Sequence, residues 1–92
     1  MPDIRVLVLD DHAQFRAAVV QALNAEPDIT VVAEGSSARE AVRLAVEYQP
    51  AVMLLDINMP GNGMKALESL VALCPVVKPV ILSRLLKKAS RL

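Results

Sequence analysis

The sequence predicts an α/β fold, a parallel sheet with helices on both faces, and three observations carry that expectation. Short β-branched runs alternate with stretches of helical periodicity, the pattern of βαβ units. Pro27, Pro50 and Pro75 close the helical stretches at intervals of about 25 residues, the span of a compact crossover. One run, Ala51-Val52-Met53-Leu54-Leu55, is apolar without alternation, as expected of a strand buried on both faces.

Taken in order, Ile4-Arg5-Val6-Leu7-Val8-Leu9 is the first strand and stops at two aspartates. Phe15, Ala18, Val19, Ala22 and Leu23 recur at helical spacing and define the apolar face of the first helix. Ile29-Thr30-Val31-Val32-Ala33 is the second strand, ended by Gly35. Ser37 with Glu40 fits a capping box, in which each side chain satisfies a free backbone N–H of the first helical turn. Ala38, Ala41, Val42 and Ala45 then form the buried stripe of the second helix. The apolar third strand ends at Asp56, and the turn Asn58-Met59-Pro60-Gly61-Asn62-Gly63 leads into a third helix through Met64, Leu67, Leu70 and Val71. Cys74 falls on the apolar stripe of that helix as a small core residue. Val80-Ile81-Leu82 is a fourth strand ending at Ser83, and Pro79, which lacks a ladder donor, places it at a sheet edge.

With 92 residues, there is room for one domain. Hydrophobic residues are 54% of the chain but aromatic ones only 2%, so the core is aliphatic. Ten basic and ten acidic residues cancel, which excludes a protein that grips nucleic acid over its whole surface. Arg84, Lys87, Lys88 and Arg91 crowd the last nine positions, leaving six basic residues against ten acidic in the rest. Four charges without a recognition motif give only non-specific attraction, so no direct nucleic-acid binding is expected. A single cysteine suits a reducing cytoplasm. No leader and no apolar run of membrane-spanning length is visible, and the expectation is a soluble cytoplasmic domain without membrane contact.

The chemistry lies at the strand ends. In an open, doubly wound sheet the ligand crevice forms beyond the carboxyl ends of the strands. Asp10 and Asp11 end the first strand and Asp56 the third, so neighbouring strands would bring three carboxylates together. Two unit charges ~4 Å apart repel by roughly 4 kcal/mol at an effective dielectric near 20, and three such groups call for a cation. A raised pKa on one of them is the other way for the three to coexist; for the cation, an all-oxygen site suits Mg²⁺, which keeps waters and accepts a phosphate oxygen as a further ligand. Each aspartate alone has an ordinary reading as a turn or cap residue; the ordered trio is what points to a site. His12 reads as an exposed first-turn residue rather than a ligand.

Val6-Leu7-Val8-Leu9-Asp10-Asp11-His12 and Leu54-Leu55-Asp56-Ile57-Asn58-Met59-Pro60-Gly61 resemble the signature segments of bacterial response-regulator receivers. Leu70-Val71-Ala72-Leu73-Cys74-Pro75 with Lys78-Pro79-Val80-Ile81-Leu82-Ser83 resembles the subfamily usually fused to a C-terminal helix-turn-helix. The resemblance implies a flavodoxin-like, doubly wound parallel sheet of about four strand–helix units in the order 2-1-3-4, in residues 1–83, with 84–92 as a basic amphipathic tail. It implies a two-component signalling module that is no enzyme beyond accepting a phosphoryl group. Asp56 would be the acceptor; Asp11 would ligate Mg²⁺, supported by Asp10 through water and completed by the backbone carbonyl of Asn58. Ser83 would hydrogen-bond the phosphoryl group, and a sensor histidine kinase would supply it.

The chain departs from that family's five units, and the lysine that ends the fifth strand has no counterpart on this alignment. On a rival alignment a middle unit is deleted and Lys78 is the phosphate-contacting lysine. Either way apolar surface is left uncovered, which predicts a homodimer or a segment-exchanged oligomer. A phosphorylation-independent interaction domain and a metal-dependent phosphatase are the competing functions, the latter without a visible general acid.

Overall fold

The computed structural model describes residues 3–56 and 58–82. Its elements are β1 (Ile4–Leu9), α1 (Ala13–Asn24), β2 (Ile29–Gly35), α2 (Ala38–Tyr48), β3 (Val52–Asp56), α3 (Gly63–Leu73) and β4 (Lys78–Leu82). All strand pairs are parallel and the order is β2-β1-β3-β4, as expected. The expected tail 84–92 and Ser83 lie outside the described residues.

The reversal of direction after β2 explains the layering. Right-handed crossovers that step first to one side of β1 and then to the other place their helices on opposite faces. Leu7 and Leu9 of β1 and Met53 and Leu55 of β3 point to one face and join Ala38, Ala41, Leu44 and Ala45 of α2 and Ala66 and Leu70 of α3 in the core. Val6 and Val8 point to the opposite face, where α1 packs over β1 and β2. The two faces differ in depth. Both α2 and α3 carry fully buried residues, whereas α1 carries none; Phe15, Val19 and Leu23 are half-buried, and Ala18 and Ala22 are exposed. On the α1 face the half-buried Val52 and Leu54 lead to Val80, which is 46% exposed.

Most boundaries agree with expectation, and the differences have physical causes. β2 runs on to Gly35 because the Asp10 N–H donates to the Gly35 carbonyl and extends the ladder. Leu44 joins the buried stripe of α2, and Val42 packs against the core half-buried. The phase of α3 is rotated: Gly63, Ala66 and Leu70 are buried, whereas Met64 and Val71 are 53% and 63% exposed. Small residues on the inner face let α3 lie close to α2. Cys74 is buried as expected. The Lys78 N–H donates to Ala51 on the β3 side, so alternation turns the Pro79 nitrogen toward the side of β4 that pairs with no other strand among the described residues. The missing donor therefore costs the sheet nothing.

Candidate functional site

The acidic cluster forms because β1 and β3 are neighbours in register. Val6 to Leu9 sit opposite Val52 to Leu55, so Asp10 and Asp56 follow on adjacent strands at the same end of the sheet. Both are fully buried, while Asp11 is exposed at the start of the β1–α1 connection. Ligand oxygens of Asp10, Asp11 and Asp56 lie within 4.8 Å of one another. The three acids read from the sequence are thus brought together.

Each buried carboxylate is held by the backbone two residues ahead. Asp10 Oδ1 accepts from the His12 N–H at 2.8 Å, and Asp56 Oδ1 accepts from the Asn58 N–H at 3.0 Å. These two Asx turns fix the side-chain rotations before any ligand arrives. His12 is the N-cap of α1, its Nδ1 accepting from the Phe15 N–H at 3.3 Å. The sequence reading placed His12 in an exposed first turn; it is instead the half-buried residue that precedes and caps the helix. Asn58 is exposed directly after the strand end. The β3–α3 turn closes through Gly61, whose φ of 92° suits glycine, and Asn62 caps α3 by accepting from the Lys65 N–H.

Lys78 is not brought to this cluster. It sits opposite Val52 at the far end of β3, whereas Leu82 is the residue opposite Asp56. Four residues of strand are about 13 Å, and Lys78 is exposed there. The rival alignment thus puts its lysine at the wrong end of the sheet.

Two residues beside the site were not picked out by sequence reasoning. Arg16 Nη1 donates to the backbone carbonyl of Asp10 at 2.7 Å, and Arg16 Nε pairs with Glu34 Oε1 at 3.0 Å. One signal was available: a cation near the positive end of a helix is unfavourable unless partnered. Its partner, 18 residues away on β2, is a tertiary fact.

At 4.8 Å, each pair of ionised carboxylates repels by about 3.5 kcal/mol at an effective dielectric near 20. A hard dication relieves this, and the donor set of carboxylate oxygens, with the exposed residue Asn58 next to Asp56, fits such an ion. Residues 6–91 match the Response regulator receiver domain family. The chain belongs to that family. It is the receiver module of two-component systems, and its acids stand at the strand ends where the family resemblance put them. Among relatives, it is 43% identical over 81 residues to the transcriptional regulatory protein DegU of Brevibacillus brevis, covering 87% of this chain and 34% of that protein. It is 41% identical over 91 residues to protein-glutamate methylesterase/protein-glutamine glutaminase 1 of Caulobacter vibrioides, covering 98% of this chain and 26% of that protein. The solved signal receiver domain of the response regulator NarL from Mycobacterium tuberculosis superposes with a TM-score of 0.85 at 32% identity, covering 90% of this chain and 68% of that one. The chain therefore spans about a third or less of the curated relatives it matches. Among the described residues no helix is long and apolar enough to cross a membrane.

Proposed function

We propose that this receiver module accepts a phosphoryl group on Asp56 from a sensor histidine kinase, with Mg²⁺ as the bound cation. The observation that carries this reading is a buried Asp56, oriented through Asn58, with Asp10 and Asp11 carboxylate oxygens within 4.8 Å. Asp10, Asp11, Asp56 and the backbone carbonyl of Asn58 are the groups that would hold the ion. When bound, Mg²⁺ offsets the carboxylate charge and that of the incoming phosphoryl group.

The residues of the chain do the rest. An Asp56 carboxylate oxygen attacks phosphorus, the P–N bond to the kinase histidine breaks, and the imidazole leaves with the electron pair. The product is an acyl phosphate on Asp56. Asp10, held by His12, supports the ion through water, and Ser83 contacts the phosphoryl group as the switch hydroxyl. The setting is cytoplasmic. The exposed Val80 and Ile81 on the edge strand β4 support self-association as a homodimer or by segment exchange. The relatives named as transcriptional regulators support an output in gene regulation through the larger protein, not through direct nucleic-acid contact by this chain.

The test is intact-mass measurement after incubation with acetyl phosphate and Mg²⁺. The wild type gains one phosphoryl group, Asp56→Asn gains none, and Lys78→Ala gains it as the wild type does. A wild type that takes up no phosphoryl group would leave a phosphorylation-independent interaction domain as the reading.

A further inference from the structure

Arg16 stands at the fourth position of α1, where its charge opposes the helix dipole, yet its side chain is only 21% exposed. Two contacts account for it. Nε is paired with Glu34 at 3.0 Å, and Nη1 donates to the Asp10 carbonyl at 2.7 Å. Guanidinium is the one side chain that can make both bonds from a rigid fork.

The carbonyl it holds is not an arbitrary one. The Asp10 carbonyl and the Asp11 N–H belong to one planar peptide unit, so fixing the oxygen fixes the rotation of that plane. The same stretch is tied on both sides, by the Asp10 N–H to Gly35 and by the His12 N–H to Asp10 Oδ1. Asp11, the exposed acid of the trio, is therefore aimed through its main chain. Glu34 has a separate task. An uncompensated guanidinium one peptide away from three carboxylates would act as an internal counter-ion and compete with a dication. Paired with Glu34, Arg16 orients the acids without neutralising them.

We propose that Arg16, clamped by Glu34, is a positioning residue that aims Asp11 at the cation while its own charge is kept from the acids. This rests on the metal-site reading above. The experiment is a Mg²⁺ titration by calorimetry of the wild type, Arg16→Gln, Glu34→Gln and the double variant. It is joined to amide NMR of Asp11 in EDTA and to thermal midpoints that verify folding. Arg16→Gln is expected to weaken Mg²⁺ binding 10- to 100-fold, the usual cost of losing a group that orients a ligand, and to move the Asp11 amide signal in the metal-free protein. Glu34→Gln, which retains the guanidinium and an acceptor, is expected to weaken binding several-fold in a salt-dependent way. That second effect should vanish in the Arg16→Gln background, where no guanidinium remains to be released. An Arg16→Gln protein that folds, binds Mg²⁺ as the wild type does and leaves the Asp11 amide in place overturns the proposal. So does a Glu34→Gln effect that persists without Arg16. If the wild type binds no Mg²⁺, the metal-site reading falls, and the metal-free Asp11 signal still decides whether Arg16 positions that residue.

Discussion

Changing Asp56 to asparagine removes one negative charge while the side-chain oxygen that accepts from the Asn58 N–H is retained. The unfolded chain holds the three acids apart, so their mutual repulsion is a cost of folding that the metal-free protein carries. With oxygens within 4.8 Å, one pair amounts to about 3.5 kcal/mol at an effective dielectric near 20. The buried Asp10–Asp56 pair feels most of this, and exposed Asp11 is better screened. Relaxation of the side chains takes a share, so Asp56→Asn should stabilise the metal-free protein by roughly 1–3 kcal/mol. For a domain of this size that is a rise in midpoint of about 4–8 °C per kcal/mol. The assay is urea and thermal unfolding in EDTA and again in millimolar Mg²⁺. The gain should appear in EDTA and shrink in Mg²⁺, because the wild type gains more from the cation than the variant does. Equal stability of the two proteins in EDTA, or the same response of both to Mg²⁺, would refute the electrostatic account of the cluster.

Two further perturbations test the frame around the site. Gly35→Ala introduces a Cβ 2.7 Å from Leu9 Cδ1, 3.1 Å from Glu40 Cβ and 3.2 Å from Leu44 Cδ1, and should destabilise the fold by roughly 1–3 kcal/mol in urea unfolding. Glu40 accepts from the Ser36 N–H and from the Ser36 and Ser37 hydroxyls, and the backbone bond above all holds its carboxyl below the ordinary 4.5. A lowered folded value means stability that is present above the ordinary value and is lost as pH falls through the folded one. The advantage of the wild type over Glu40→Gln in unfolding experiments should therefore be present at neutral pH and fade on acidification below the usual carboxylate range.

The sequence was informative where one residue type has one physical use. A β-branched run that stops at paired aspartates located β1 and half of the site, and an unbroken apolar run located β3 and the other half. Pro79 pointed to an edge because a missing donor is best tolerated there, and among the described residues β4 is the last strand of the sheet. The phase of α3 was not legible, because Met64, Ala66, Leu67, Leu70, Val71, Ala72 and Leu73 make that helix apolar nearly all round. Only its approach to α2 selects Gly63 and Ala66 as the inner face. Capping was legible for Ser37, whereas at α1 the N-cap is His12, which the sequence reading placed in the first turn. The Arg16–Glu34 bracket joins two elements across 18 residues, and no local spacing encodes it.

The shallow seating of α1 has a consequence for how the protein moves. A helix without one fully buried residue has little apolar contact to lose when it detaches. It belongs to the low-stability end of the spectrum of local openings, where amide protection falls well short of global unfolding. Yet this helix carries both the His12 cap that secures Asp10 and the Arg16 fork that secures the Asp10–Asp11 peptide. The order of the acidic site is thus tied to a helix with no fully buried residue. Whatever stabilises α1 also sharpens the site, and a cation held by the acids should in turn slow hydrogen exchange along α1.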